Sequence, residues 1–246
     1  MPVSDRFSFL RWSSVRMAIG LPNVIRNGQV GDGREAAATK YVLDNARPGD
    51  VDDAIATIDR FARRESILMN VGDEKGLLLD AAVRRANPAL ALELGTYCGY
   101  STLRTARAAP HARVFSVEMN PANAENARRI WAHAGIADRV TCVVGTIGDG
   151  GRTLEALAAE GFTAGALDFL FIDHDKNAYL PDLLTIVGRG WLHPGSVVVA
   201  DNVLVPGSPK YRSYMRDNPA WDTVEHKTHA EYTKIPDLVL ESTYRG

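Results

Sequence analysis

Hydrophobic residues recur at two different spacings along the chain, and the change of spacing divides the sequence into two parts. Between residues 32 and 87 the apolar positions follow a helical period, with breaks at Pro48-Gly49 and around 70–73. This pattern predicts about three helices. After Pro88 short apolar runs alternate with helical stretches, which is typical of βαβ units and a parallel sheet.

The second part contains five short apolar runs that we interpret as strands. They cover residues 90–94, 113–118, 140–144, 167–172 and 196–200, and the predicted helices between them cover 101–109, 121–134, 151–159 and 178–189. Asn120 followed by Pro121 is a favourable start for the second of these helices. Two late runs, 223–228 and 238–242, are expected to pair antiparallel at the sheet edge. Together these elements predict an open, doubly wound α/β sheet.

The composition is that of an ordinary globular protein. Hydrophobic residues make up 46% and charged residues 24% of the 246 positions, which excludes collagen-like and largely disordered classes. Lys and Arg total 28 against 30 Asp and Glu, so the net charge of -2 gives no electrostatic reason to bind nucleic acid or an anionic membrane.

Three features predict a cytoplasmic protein with no transmembrane segment. No run of about 18 apolar residues occurs. Cys98 and Cys142, the two cysteines, fit neither a disulfide framework nor a zinc-site spacing. The stretch 9–30 is interrupted by arginines and is interpreted as a loose leader or an amphipathic arm. The oligomeric state is left open by the sequence.

Polar residues follow three of the predicted strands, at the edge where doubly wound sheets bind ligands. Gly95 and Gly99 allow close backbone approach between the first strand and its helix, and Ser101 is expected to open that helix. Their spacing does not match the dinucleotide fingerprint. Glu118 ends the next strand, 23 positions after Gly95, where an acid can accept both hydroxyls of a ribose.

The third feature combines two strand ends. Asp173 follows one apolar run, and Asp201 and Asn202 follow the next. Adjacent parallel strands would bring these three side chains together, and their hard oxygen ligands suit Mg²⁺. Acidic helix caps would explain either motif alone, whereas their combination favours a metal site.

Several segments occur in the order and at the spacing found in one enzyme family. They are Met69 to Gly76, Glu93 to Ser101, Glu118-Met119-Asn120-Pro121, Asp173-His174-x-Lys176, Tyr179-Leu180-Pro181-Asp182 and Asp201-Asn202-Val203 with Pro206-Gly207. Over about residues 31–244 the chain resembles the catechol O-methyltransferase family of metal-dependent enzymes. This family uses S-adenosylmethionine to methylate small molecules.

The resemblance implies a fold and a domain division. The expected fold is the class I methyltransferase, Rossmann-like α/β fold: a mostly parallel, seven-stranded, doubly wound sheet with N-terminal helices and an antiparallel edge strand. The expected methyltransferase domain covers residues 31–246, after an N-terminal extension of residues 1–30. The implied reaction moves a methyl group from S-adenosylmethionine to one hydroxyl of a catechol-type ortho-dihydroxy aromatic, with Mg²⁺ or another divalent cation bound.

The resemblance also assigns residues to roles. Lys176 matches the catalytic base and Glu231 the acid that contacts a substrate hydroxyl, while the implied metal ligands are Asp173, Asp201 and Asn202. The residues implied in cofactor binding are Met69, Val71, Glu93, Gly95, Tyr97, Ser101, Glu118, Met119, Thr146, Asp173 and His174. Those implied in substrate binding are Asp173, Lys176, Asn202, Pro206 and Glu231.

The chain departs from the family near the acceptor and the adenine. Ile67 and Asp175 stand where the vertebrate enzyme has tryptophans that wall the catechol, and Ile147 and Gly148 replace polar side chains near the adenine, which leaves Thr146 or backbone groups to bind it. The acceptor therefore stays open between a catechol, a caffeoyl thioester, a flavonoid and a hydroxylated RNA base. A nicotinamide-dependent oxidoreductase and a noncatalytic binding protein are the alternatives from other classes.

Overall fold

Helices and strands alternate along the chain in the order that the hydrophobic pattern predicts. The structure, a computed structural model, describes Arg16, Ile19, Gly20, Pro22, Asn23, Arg26 and residues 28–246. Most of the predicted extension 1–30, and of the predicted amphipathic arm, lies outside the described residues. No helix in the described part of the chain is both long and apolar enough to cross a bilayer.

The helices and strands are numbered here in chain order. The helices are α1 (Arg34–Asn45), α2 (Val51–Arg64), α3 (Gly72–Ala86), α4 (Tyr100–Ala108), α5 (Pro121–His133), α6 (Arg152–Ala159), α7 (Tyr179–Gly188) and α8 (Pro209–Asp217). The strands are β1 (Leu90–Leu94), β2 (Arg113–Glu118), β3 (Val140–Val144), β4 (Leu167–Ile172), β5 (Leu192–Ala200), β6 (Trp221–His229) and β7 (Pro236–Tyr244).

The seven strands form one sheet in the order β3-β2-β1-β4-β5-β7-β6. Strands β1 to β5 pair in parallel, and β7 pairs antiparallel with both β5 and β6. The predicted fold class is therefore confirmed. The reversed strand, β7, lies one position inside the edge, and β6 forms the edge itself.

Most predicted boundaries agree with the structure, and the exceptions have physical causes. Strand β5 begins at Leu192 instead of at 196. The pattern misses α8 because this short helix is polar and buries only Tyr211 and Met215. Ser101 does not open α4: the helix begins at Tyr100, and the Ser101 hydroxyl donates a hydrogen bond to a carboxylate in β1.

The sheet has a hydrophobic core on each face, and β1 runs through the middle with all five of its residues buried. One of these residues is Glu93. Its carboxylate accepts hydrogen bonds from the hydroxyls of Ser101 at 2.9 Å and Thr102 at 2.8 Å. Burial raises the pKa of Glu93 to about 8, although these hydrogen bonds oppose the shift. Ionised Glu93 is therefore unfavourable in the folded protein.

We expect the variant Glu93→Gln to gain stability relative to the native protein as the pH rises. The pKa of Glu93 is higher in the folded state, so its stabilising contribution is complete below the ordinary value of 4.5 and is lost as the pH rises through about 8. Thermal unfolding between pH 5 and pH 9 should show the melting temperature of the variant rising relative to native. The exposed Glu160→Gln serves as the control, and a difference independent of pH would contradict the burial argument.

Candidate functional site

Three strand ends meet at the carboxyl edge of the parallel strands. The amide of Asp173 donates to the carbonyl of Leu94 at 2.8 Å, and the amide of Asp201 donates to that of Ile172 at 3.1 Å. Gly95 has a φ of +101°, and a Cβ atom there would lie 2.3 Å from the Asp173 carbonyl oxygen. Only glycine fits this contact, so the loop after β1 lies directly against the end of β4.

Lys176, the predicted base, lies beside the predicted ligand Asp173. Its Nζ donates to Asp173 Oδ1 at 2.9 Å and to the hydroxyl of Tyr179. That hydroxyl in turn donates to the backbone carbonyl of Asp201 at 3.0 Å. Tyr179 thus connects the base to the end of β5. Its contribution was not predicted, although its position lies within one of the family segments.

A second lysine, which the sequence analysis missed, occupies the middle of an acidic cluster. Lys75 on α3 is 1% exposed, and its Nζ lies 2.7 Å from Asp201 Oδ1, 2.6 Å from Glu231 Oε1 and 3.2 Å from Asp237 Oδ2. Burial lowers the pKa of Lys75, but attraction to Asp201 and Glu231 outweighs burial and raises the pKa above its ordinary value. Lys75 is therefore a permanent cation in this site.

Asn202 adopts a left-handed conformation with a φ of +51°, which asparagine tolerates better than most residues. Its Nδ2 donates to Glu231 Oε1 at 2.6 Å and to Asp237 Oδ2 at 3.0 Å. The structure thereby brings together the predicted Asp201, Asn202 and Glu231. Asp237, which was not predicted, joins them.

The donor set near Asp201 fits a divalent cation. Asp201 Oδ1 accepts from Lys75 and from the amide of Asn202, whereas its buried Oδ2 has no hydrogen-bond partner. Burial, with repulsion from Asp173 and Glu231, raises the pKa of Asp201 to about 8 despite the attraction of Lys75. A cation beside Oδ2 would stabilise the ionised carboxylate.

The carboxylate oxygens of Asp201, Glu231 and Asp237 form a second possible cation site, but it is less suitable. One oxygen each of Asp201, Glu231 and Asp237 lie within 4.8 Å of one another. The ammonium of Lys75 contacts all three carboxylates, so this position already holds a positive charge. When all three are ionised, they exceed the ammonium by two negative charges, which also favours a divalent cation nearby.

Farther along the same carboxyl edge, the loop after β1 and the end of β2 surround the buried Glu118. Glu118 accepts from the amide of Tyr97 at 2.8 Å and from the amide of Asn120 at 2.8 Å. Burial raises the pKa of Glu118 against these hydrogen bonds. Gly28 lies against this carboxylate: a Cβ added there would be 3.7 Å from Glu118 Oε1. Oε1 also accepts from Asn123 Nδ2 at 3.4 Å. An acid at this strand end is placed to accept a further hydrogen bond from a ribose hydroxyl.

A cavity of about 380 Å³ opens beside Glu118, between β3 and α6. Its lining includes Met119 and Thr146, the two residues predicted near the adenine. Ile147 is buried in the core, and Gly148 has open space around it. Because neither residue has a polar side chain, neither offers a side-chain hydrogen bond there.

One ring nitrogen of His174, a predicted cofactor residue, has no hydrogen-bond partner. Its Nε2 is 2.8 Å from Asp182 Oδ2, and its ring stacks on Tyr179, while the buried Nδ1 has no partner. A buried nitrogen without a partner is costly, so a bound molecule that hydrogen-bonds to Nδ1 would stabilise this arrangement.

The remaining predicted residues lie around this edge. Met69 and Val71 precede α3, and Tyr97 reaches back to α1, where its hydroxyl donates to Glu35 at 3.0 Å. Pro206 is exposed on the loop after β5, and Asp175 is exposed after β4.

Comparisons with known proteins show which family the chain resembles. The O-methyltransferase family model matches residues 52–217. The chain is 70% identical over 233 residues to the probable O-methyltransferase Rv1703c of Mycobacterium tuberculosis, covering 94% of this chain and 100% of that protein. It is 40% identical over 238 residues to catechol O-methyltransferase B of Danio rerio, covering 96% and 87%.

The fold also resembles that of solved O-methyltransferase structures. The crystal structure of the O-methyltransferase from Bacillus cereus in complex with SAH superposes with a TM-score of 0.65 at 24% sequence identity, covering 85% of this chain and 97% of that one. The family model, the sequence relatives and the fold confirm the predicted resemblance. The chain belongs to the O-methyltransferase family.

Proposed function

We propose that this O-methyltransferase transfers the methyl group of S-adenosylmethionine to one hydroxyl of a catechol-type ortho-dihydroxy aromatic, with Mg²⁺ bound. The observation that carries the proposal is the meeting of the Asp173–Lys176 pair with Asp201 and Asn202 at two adjacent strand ends. The identity of 40% with a protein named catechol O-methyltransferase B supports the acceptor class.

Three residues would hold the metal: Asp173, Asp201 through its unpartnered Oδ2, and Asn202 through its amide oxygen. Bound Mg²⁺ would act as a Lewis acid and a template for two vicinal oxygens. Bound S-adenosylmethionine would supply an electrophilic methyl group.

The protein's own groups would position the acceptor and move its proton. One acceptor oxygen would be held facing the methyl group that S-adenosylmethionine supplies, with S-adenosylhomocysteine as the leaving group. Lys176 Nζ, held by Asp173 and Tyr179, would accept the phenolic proton when it is in its neutral form. Glu231, whose side chain is 21% exposed, would accept a hydrogen bond from the second hydroxyl. Much of the rate acceleration would come from alignment of the reacting groups.

Hydrogen-bond acceptors for the cofactor would be Glu93 and Glu118, with His174 Nδ1 and Thr146 as further polar contacts.

We also propose a cytoplasmic location, because both cysteines are buried and unpaired, as in a reducing compartment. Family membership favours methyl transfer over the nicotinamide-dependent alternative.

An acceptor panel tests the proposal directly. Purified enzyme with labelled S-adenosylmethionine would be offered an ortho-dihydroxy aromatic, the matching monohydroxy phenol, a caffeoyl thioester, a flavonoid and a structured RNA, each with and without a chelator. We expect preferential, chelator-sensitive methylation of the ortho-dihydroxy compound. Equal methylation of the monohydroxy phenol would contradict the chelation mechanism, and preference for another acceptor would replace the catechol assignment.

The variant Lys176→Met keeps most of the side-chain volume but removes the base. We expect turnover to fall by about 10²- to 10⁴-fold, as is typical when a general base is lost. The affinity for S-adenosylhomocysteine, measured by calorimetry, should change little. Lys40→Met, at a position that is 76% exposed, is the control. Native turnover in Lys176→Met would remove this residue from the mechanism.

The variant Asp201→Asn tests the metal site. Because the carboxylate supplies a charged ligand, we expect calorimetric Mg²⁺ binding and turnover to be lost together, while S-adenosylhomocysteine still binds. Asp217→Asn makes the same chemical change at an exposed position next to Arg216. Retained Mg²⁺ binding by Asp201→Asn would refute the proposed ligand set.

A further inference from the structure

Asp237 is a buried acid with every oxygen engaged, near the start of β7. Its Oδ2 accepts from Asn202 Nδ2 at 3.0 Å and lies 3.2 Å from Lys75 Nζ. Its Oδ1 accepts from the amides of Leu204 at 3.2 Å and Val205 at 3.0 Å. One carboxylate thus contacts both the side chain of Asn202 and the backbone that follows it.

We infer that Asp237 is a positioning residue for the divalent cation, an inference that rests on the proposed function. It acts by setting the direction in which the Asn202 amide points. A carboxylate only accepts hydrogen bonds, so Asp237 and Glu231 select the orientation in which Asn202 Nδ2 faces them. The amide oxygen of Asn202 must then point away from both carboxylates, where it is available as a metal ligand.

The second oxygen of Asp237 strengthens this effect through the backbone. By accepting from Leu204 and Val205 it holds the loop that begins at Asn202 and continues to Pro206. Asp237 therefore contacts both the backbone that follows the left-handed Asn202 and the side chain of Asn202, whereas Glu231 contacts only the side chain. Hydrogen-bonding partners of this kind orient metal ligands and strengthen the binding of the ion.

Lys75 explains why the chain has an acid at position 237 and not an amide. Four donors converge on Asp237: Nζ of Lys75, Nδ2 of Asn202 and two backbone amides. An asparagine would turn its own amide hydrogens toward some of these donors in either orientation, and the Asn202 amide would lose its fixed direction.

A double-mutant cycle separates this directional effect from a simple loss of negative charge. Mn²⁺ binding, followed by electron paramagnetic resonance, would be measured for native protein, Asp237→Asn, Asn202→Ala and the double variant. We expect Asp237→Asn alone to weaken Mn²⁺ binding by about 10- to 100-fold, the usual cost of losing such a partner. When Asn202→Ala is also present, there is no amide to orient, so the directional part of the loss should disappear while any loss caused by charge alone remains.

The comparison of the two losses decides the inference. A loss caused by Asp237→Asn that is more than threefold larger in the native background than in the Asn202→Ala background supports positioning. Any smaller difference, including equal losses from charge alone, overturns it. If Asp237→Asn does not fold, Asp237→Ser takes its place in the same cycle.

Two controls complete the design. Glu241→Gln removes a carboxylate from the same strand, where Glu241 pairs with Arg85 and His226 outside the site, and should leave Mn²⁺ binding unchanged. Affinity for S-adenosylhomocysteine and the melting temperature report whether each variant is folded. If native protein itself does not bind Mn²⁺, the metal part of the proposed function fails together with this inference. Native binding with a small difference between the losses overturns the inference alone.

Discussion

The buried ammonium of Lys75 is the interaction on which the functional edge of the sheet depends. It contacts three carboxylates from separate parts of the chain, those of Asp201, Glu231 and Asp237. Without a cation among them these acids would repel one another in a poorly solvated space, and removing one partner of such a cluster costs about 3–5 kcal/mol. Lys75 thus joins α3 to β5 and to both sides of the β6–β7 connection. The carboxylates still exceed it in charge, so the same cluster that stabilises the fold also attracts a further cation.

Much of the fold could be predicted because its strands are short, buried apolar runs. The bounds of β1 to β4 follow directly from such runs, and the Asn120 cap of α5 forms as expected, with its Oδ1 accepting from the amide of Ala122. Helix α8 escaped prediction because only Tyr211 and Met215 face the core. The Ser208-Pro209 start and the spacing of those two apolar residues were the available signals.

The site could be predicted where its residues follow strands and not where they depend on tertiary contact. Asp173, Asp201 and Asn202 stand at strand ends, and topology alone brings strand ends together. Lys75 and Asp237 are 162 positions apart, and a lysine in a helix or an aspartate beginning a strand has no periodic pattern that indicates its partner. Asp237 directly precedes the buried apolar run 238–240, which is a weak local signal, whereas Lys75 follows Asp73 and Glu74 in a polar stretch and has none.

The reversed direction of β7 has a consequence for how this architecture can diversify. A parallel strand would present its carboxyl end at the working edge and would need a long crossover to return. Because β7 is antiparallel, its first residues lie at the carboxyl edge of the parallel strands. The short connection 230–235 joins β6 to β7 at this edge. Glu231 lies near the start of that connection, so insertions or deletions after it would reshape the mouth of the site without disturbing strand register. Evolution can therefore alter molecular selectivity in this segment while the charge-bearing framework beneath it stays constant.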